Sequence, residues 1–317
     1  MSTDWTGIIL GSQAPETAWA SIFSSLLDLA KQSSSPVALH DATVIPDRLL
    51  SEAAWDLWES YPEHSVKISA MLKEWTAQGS NKAVLILDAL SLREMPILLS
   101  AAAVRGVNPL LVNVAGSECP STTDQFAKAI GLSSRSALVN DTKPGTFSLF
   151  GGNCYTDVVS MPFEDCAVPP SPNLVIWHSW LDDLIHLHKK LPDQIASCAS
   201  KTLQGDGFWD FVSKLRQGRR LVITSDHGYA VCKRFSSQIV DPEAIKIFRE
   251  TFGASRYKPV SEPWRKRFMP PIVMSHNKHH IVVGQRKWKV QSGFPDVDHG
   301  GMTLLEVAVP YMELPAL

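Results

Sequence analysis

Two apolar runs in this chain end abruptly in groups able to bind a metal ion. Val84-Leu85-Ile86-Leu87 runs into Asp88, and Leu221-Val222-Ile223-Thr224 runs into Ser225-Asp226-His227-Gly228. Ligands of open α/β sheets gather beyond the carboxyl ends of the strands, so polar groups at those ends are candidates for chemistry. Asp182 and His186 are four residues apart in a segment of helical spacing, which puts them on one face about one turn apart, where they could grip one ion. His299 precedes Gly300 and Gly301, which leave room for close approach, just ahead of the apolar stretch 302–312. Each has a plainer reading when taken alone: Asp88 as a helix N-cap, Asp226-His227-Gly228 as a turn, Asp182 and His186 as a solvated pair, and His299 as a loop residue. His178, Asp183 and His188 lie close enough to compete for the second role.

The elements that must position these groups are of two kinds. Before residue 80 the apolar residues recur at helical spacing, predicting helices over 15–31, 46–60 and 63–78 that pack against a sheet without joining it. From Lys82 onward short apolar runs alternate with helical segments, the pattern of a parallel sheet buried on both faces. Strands are expected at 83–87, 109–114, 173–177 and 220–224, with helices at 92–105, 123–130, 180–190 and 207–217. Residues 140–172, rich in Gly, Pro, Ser and Asp, read as a long surface loop with one short strand. Residues 229–295 interrupt the alternation and end in a hairpin-like stretch at 280–290, so they form a candidate insertion or cap.

The chain has 317 residues, 44% hydrophobic and 20% charged, as ordinary globular proteins do, which argues against disorder. No window reaches the roughly 18 apolar residues of a membrane-spanning helix, and the N-terminus lacks an export pattern. Five scattered cysteines without a CxxC pair read as reduced, mostly buried thiols, so the expected location is the cytoplasm. The net charge of −2 hides an uneven distribution: residues 229–292 carry thirteen Lys and Arg against four acids, an excess of nine.

Together the candidate ligands occur in the order Asp, Asp-x-x-x-His, Asp-His-Gly, His-Gly-Gly, which resembles the signature of the alkaline phosphatase superfamily. The chain is most similar to the PglZ domain over roughly residues 82–317. The matching motifs are Asp88-Ala89-Leu90, Pro120-Ser121-Thr122-Thr123, Ser225-Asp226-His227-Gly228, and His299-Gly300-Gly301 followed by Glu306-Val307-Ala308-Val309-Pro310. The resemblance implies an α/β fold with a doubly wound, mostly parallel sheet and helices on both faces. It also implies a PglZ-like catalytic unit over 81–317; with the helical segment at 1–80 and the small inserted cap at 229–295 read from the sequence pattern, this gives the expected domain organisation.

Carried over residue by residue, the resemblance gives Thr123 as nucleophile, with Ser121 as the next choice. One divalent ion would be held by Asp88, Thr123, Asp226 and His227, and a second by Asp182, His186 and His299. Zinc is expected first and manganese second, since Asp and His ligands suit them better than magnesium or calcium. A threonine opening a predicted helix is also well placed physically, because the free N–H groups there favour negative charge. The expected activity is a metal-dependent phosphohydrolase, a phosphodiesterase for nucleotides or short nucleic acid working through a phosphothreonine. PglZ proteins also resemble parts of multi-component phage-defence systems such as BREX, so protein partners are expected; the alternative is a metal-binding assembly subunit without turnover. Cys119-Pro120-Ser121 lacks the spacing and arginine of the sulfatase motif, and the large insert of phosphoglycerate mutases is missing. Arg265, Lys266, Arg267 and Lys287, interleaved with Trp264 and Trp288, are candidate substrate contacts; the plainer reading is a solvated face.

Overall fold

The computed structural model describes residues 3–11, 14–266, 268–291, 293–294 and 296–317. Its centre is a six-stranded sheet in which five strands run parallel. These are β1 (Lys82–Leu87), β2 (Leu111–Gly116), β3 (Tyr155–Val159), β4 (Asn173–His178) and β5 (Arg220–Thr224), and the sixth is the C-terminal strand Ala308–Leu314. The spatial order is β2, the C-terminal strand, β5, β1, β4, β3. Every residue of β1 and β4 is buried, which is why both read in the sequence as unbroken apolar runs. The C-terminal strand lies antiparallel between β2 and β5. Its pairing with β5 begins at Tyr311, one residue past Pro310, which has no N–H to give, and the Pro310 carbonyl accepts the Thr224 hydroxyl at 2.7 Å.

Five helices precede the sheet: α1 (Trp5–Leu10), α2 (Pro15–Gln32), α3 (Pro36–Glu52), α4 (Trp55–His64) and α5 (Ile68–Ala77). They pack against the sheet without extending it, and two buried contacts tie them down. The Tyr61 hydroxyl donates to the Ser117 carbonyl at 2.7 Å beyond β2, and Asp47 accepts from the Leu304 N–H at 2.9 Å. The helix expected at 46–60 is corrected to the end of α3 and the start of α4, because Pro46 sits inside a helix whose true N-cap is Ser35, accepting from Ala38 N–H at 3.2 Å. The helix expected at 63–78 likewise divides, with the chain extended at Ser65 and Lys67 between α4 and α5.

Around the sheet lie α6 (Met95–Val104), α7 (Thr123–Ala129), α8 (Trp180–Leu187), α9 (Pro192–Gln204) and α10 (Asp206–Arg216). Unexpected from the sequence was α9, whose small, mixed residues hide a buried stripe of Ile195, Ala199 and Leu203. All five cysteines are free, and four are buried. No helix among the described residues is long and apolar enough to cross a membrane.

The stretch between β5 and His299 has its own small core. It contains α11 (Pro242–Phe252) and a three-stranded sheet of Tyr257–Pro259, Val273–His276 and His279–Val282. The hairpin expected at 280–290 instead turns at Asn277 and Lys278, whose φ values of 45° and 60° suit a two-residue turn that follows strand twist.

Candidate metal centre

Because five strands of the sheet are parallel, their carboxyl ends share one edge, and the candidate ligands collect along it. Asp88 follows β1, while Ser225, Asp226 and His227 follow β5; α8 begins two residues after β4, and Thr123 opens α7 in the connection that leaves β2. The donor atoms fall into two groups, Asp88 with Asp226 and His227, and Asp182 with His186 and His299, each within 4.8 Å of one another. The rings of His227 and His299 stack at 4.5 Å between centroids, so the groups are neighbours.

In the first group every member is fully buried and locally held. The Thr123 hydroxyl lies 2.8 Å from Asp226 Oδ2, 3.3 Å from Asp88 Oδ1 and 3.2 Å from His227 Nε2. The other oxygen of Asp88 accepts from Trp177 Nε1 at 3.0 Å and from the Arg135 guanidinium. One oxygen is thus fixed by the protein while the other faces Thr123. Asp226 Oδ1 accepts from the Ala89 N–H at 3.0 Å, a contact made possible by the positive φ of 61° at Ala89. His227 Nδ1 faces the Gly228 carbonyl at 2.9 Å; a carbonyl can only accept, so Nδ1 carries the proton and Nε2 is left with a lone pair toward Thr123.

Electrostatics here is unbalanced in favour of negative charge. Burial, with the Asp226 carboxylate beside it, pushes Asp88 up to about 8. Burial pulls His227 down, but Asp226 and Asp88 more than offset it and its pKa is raised. Asp182 is raised by burial, and His299 is held well below its ordinary value by burial and by the neighbouring His227 and His186.

The second group is nearer solvent. His186 lies 3.4 Å from Asp182 across one turn of α8 and is half exposed. Asp182 Oδ1 and His299 Nδ1 are buried without any hydrogen-bond partner. Orphaned acceptor-type atoms beside crowded buried carboxylates are what a divalent cation would satisfy, and the residues present therefore fit such ions.

Two of the competing residues, His178 and Asp183, are used elsewhere. His178 binds the Met161 carbonyl at 3.0 Å and the Trp180 N–H at 3.1 Å, and Asp183 accepts from Ser179. Ser121 accepts from Gly300 N–H at 3.1 Å and donates to the Gly301 carbonyl at 2.9 Å, so its hydroxyl holds the turn after His299. A cleft of about 520 Å³ opens beside His186 and His299, and the cations lining it are Lys189 and Lys190. Neither Arg265, Lys266 nor Lys287 lines it: Arg265 pairs with Glu262 in solvent, Lys266 is exposed, and Lys287 lies 5.5 Å over the ring of Phe294 at the cleft wall. Arg267 lies outside the described residues. Trp288 is buried against Phe248 and Phe252, and Trp264 packs on Phe252 and Phe268. The aromatics read as a nucleotide surface instead form the core of this segment.

Sequence reasoning missed Arg135, Trp177, Lys189 and Lys190. The two lysines carried a local signal, directly following the His186 and His188 helix; Arg135 and Trp177 act across long sequence separations and carried none.

No protein-family model matches the sequence, and no curated protein matches it significantly. Among solved structures it is similar to phosphonoacetate hydrolase from Sinorhizobium meliloti 1021 in complex with phosphonoformate, at 14% identity over 74% of this chain and 90% of that one, with a TM-score of 0.42. It is also similar to murine ectonucleotide pyrophosphatase / phosphodiesterase 5, at 14% identity over 74% and 87% with a TM-score of 0.44. An inactive form of that protein in complex with AMP gives 13%, 74%, 88% and 0.45.

Proposed function

We propose that this protein is a two-metal phosphohydrolase of the alkaline phosphatase superfamily with the motifs of the PglZ domain, and that it cleaves phosphodiesters of nucleotides or short nucleic acid. The observation that carries the reading is the Thr123 hydroxyl, which lies 2.8 to 3.3 Å from Asp226, His227 and Asp88, beside a second Asp-His-His group. Asp88, Thr123, Asp226 and His227 would hold one divalent ion and Asp182, His186 and His299 the other, zinc first and manganese next. Bound there, such ions supply Lewis-acid stabilisation of charge on the attacking and departing oxygens.

Thr123 Oγ1 forms its bond to phosphorus as the bond to the departing alkoxide breaks, with the hydroxyl proton leaving along its hydrogen bond to Asp226. The alkoxide takes a proton from solvent. Water then attacks the phosphothreonine, the P–Oγ1 bond breaks, Oγ1 regains a proton, and a phosphomonoester leaves. Trp177 and Arg135 keep Asp88 oriented throughout, and Ser121 keeps the His299 turn against the loop that bears Thr123.

Elemental analysis with an assay on bis(4-nitrophenyl) phosphate tests this. Up to two ions per chain are expected, with turnover that falls by about 1000-fold or more in Thr123→Ala while the metal stays bound. A metal-free protein, or a variant as active as its parent, would sink the reading; metal bound without turnover would favour the assembly-subunit alternative. By the same resemblance the setting is a multi-component phage-defence or signalling system, to be sought by co-purification.

A further inference from the structure

Arg256 is one of the thirteen cations of the basic segment, yet its side chain is fully buried and none of it is available to a substrate. Its guanidinium is spent on the protein. Nε donates to Glu306 Oε1 at 2.8 Å, and the two terminal nitrogens donate to the Gly284 carbonyl at 2.9 Å and the Arg286 carbonyl at 3.1 Å. Glu306 is equally buried, and its Oε1 also accepts from the Gly301 N–H at 2.9 Å, while Oε2 accepts from the Thr303 N–H and hydroxyl. The Arg256 backbone N–H donates to Asp298 Oδ2 at 2.9 Å. Arg256 therefore touches the chain immediately before His299 and, through Glu306, the chain two residues after it.

Close packing makes the hold specific. A Cβ on Gly300 would fall 2.2 Å from the Tyr257 ring, and one on Gly301 would fall 2.5 Å from Arg256 Nε, so the turn passes against these side chains with no room to spare. The φ of 92° at Gly300 fixes the direction in which His299 leaves the turn. On the far side Ser121 grips the same two glycines. His299 itself has no hydrogen bond at Nδ1; its ring rests on those of His227 and Tyr257, and the turn sets the backbone that carries it.

We propose that Arg256, paired with Glu306, is a positioning residue for His299, and that through it the inserted segment sets the affinity of the second metal group, Asp182, His186 and His299, independently of the first. The inference rests on the two-metal reading above. A buried ion pair of this kind adds little net stability over an apolar pair but strongly penalises loss of one partner, which suits a part that fixes geometry. Groups that orient metal ligands without touching the metal typically change affinity by about 10- to 100-fold when removed.

The test is zinc titration against a chromophoric chelator for the parent, Arg256→Lys, Arg256→Met and Glu306→Gln, with thermal melts alongside. One of two sites should weaken by about 10- to 100-fold while the other keeps the parent affinity, and Arg256→Lys should lie between the parent and Arg256→Met. Hydrogen exchange at the Gly301 amide, read on metal-free protein, should speed up in the same order. Folded variants with both affinities unchanged, or with both sites weakened alike, overturn the proposal. If Arg256→Met does not fold, Arg256→Lys and Glu306→Gln decide it. If the parent binds no ion, the two-metal reading falls, and the Gly301 exchange rates still show whether Arg256 holds the turn.

Discussion

The two donor groups are built on different foundations. Asp88, Asp226 and His227 stand beyond the buried carboxyl ends of two central strands, and the Asp88 and Asp226 oxygens turned away from Thr123 are bound by Trp177, Arg135 or Ala89. Asp182 and His186 stand on a helix face and His299 on a glycine turn, with two buried atoms lacking partners. The first group is rigid because the sheet holds it. The second is rigid only insofar as neighbours from three stretches of chain converge on it. Preorganisation of a ligand set costs folding energy, and here that cost is concentrated in the first group, where the carboxylates of Asp88 and Asp226 are fully buried.

The comparison is broken most severely by substituting one member of each group. Asp226→Ala should lose turnover by about 1000-fold or more and alter the fold stability, since Asp226 also anchors Ala89 and Thr123. His186→Ala, at a half-exposed residue that only approaches Asp182 at 3.4 Å, should keep the parent melting temperature in metal-free protein while losing one ion and much of the activity. Metal content and melts for the two variants check this; equal loss of both ions in His186→Ala would erase the distinction. Dialysis against chelator should likewise remove metal in two steps, the exposed site first.

A smaller and more general effect sharpens the contrast through pH. Asp88 is pushed up to about 8 by burial, from an ordinary 3.8, so between those values the folded, metal-free protein keeps a proton that the unfolded chain has released. Stability must then fall as pH rises through that window. His227, raised in the fold, acts in the same direction, because its contribution is present below 6.5 and lost as pH climbs through the folded value. Asp47 and Glu94, each pushed up to about 7 by burial, add to the slope. Below about pH 6.5 the depressed His299, His40 and His178 act the other way, so without metal the melting temperature should decline between about pH 6.5 and 8, and added zinc should restore most at the upper end, where coordination keeps Asp88 ionised. A profile that is flat or rises with pH over that range in metal-free protein would contradict the buried-carboxylate account.

The first group was the more legible of the two in the sequence, for the same physical reason that it is the more rigid. A strand buried on both faces is mostly apolar, so the polar residues that follow it mark its end: Asp88 comes directly after β1, and Asp226 lies two residues past the end of β5, after Ser225. Helix boundaries were less visible: Pro46 reads as a helix start but lies inside α3, where Ser35 and not the proline supplies the cap. The inserted segment misled most, since its charges and aromatics look alike in sequence whether they face solvent, a substrate or one another. In the structure Trp288 and Phe248 make a core, Arg256 makes a buried pair, and Arg265 faces water. Long-range pairs such as Arg135 with Asp88 leave no local pattern from which they could be read.

The smallest expected effect separates two sets of cations that the sequence could not tell apart. Lys189 and Lys190 line the cleft that holds His186 and His299, whereas Arg265 and its partner Glu262 are 78% and 69% exposed and that cleft does not include them. A diester keeps a second substituent on phosphorus, and a nucleotide substituent in this cleft would place negative charge near Lys189 and Lys190. Exposed charges at such distances act through a screened field, so charge reversal should lower kcat/KM for a nucleotide diester by about three- to tenfold at low salt and less at high salt. Reversal at Arg265 and Lys266 should change it by less than about twofold, because a solvated pair that contacts only its neighbour contributes little. The diester should also be preferred over the matching monoester, because the cleft lies on one side of the centre and offers the second substituent its contacts. Equal effects from the two charge reversals would return the substrate to the basic segment, and a monoester preference would show that the cleft serves something other than a second substituent.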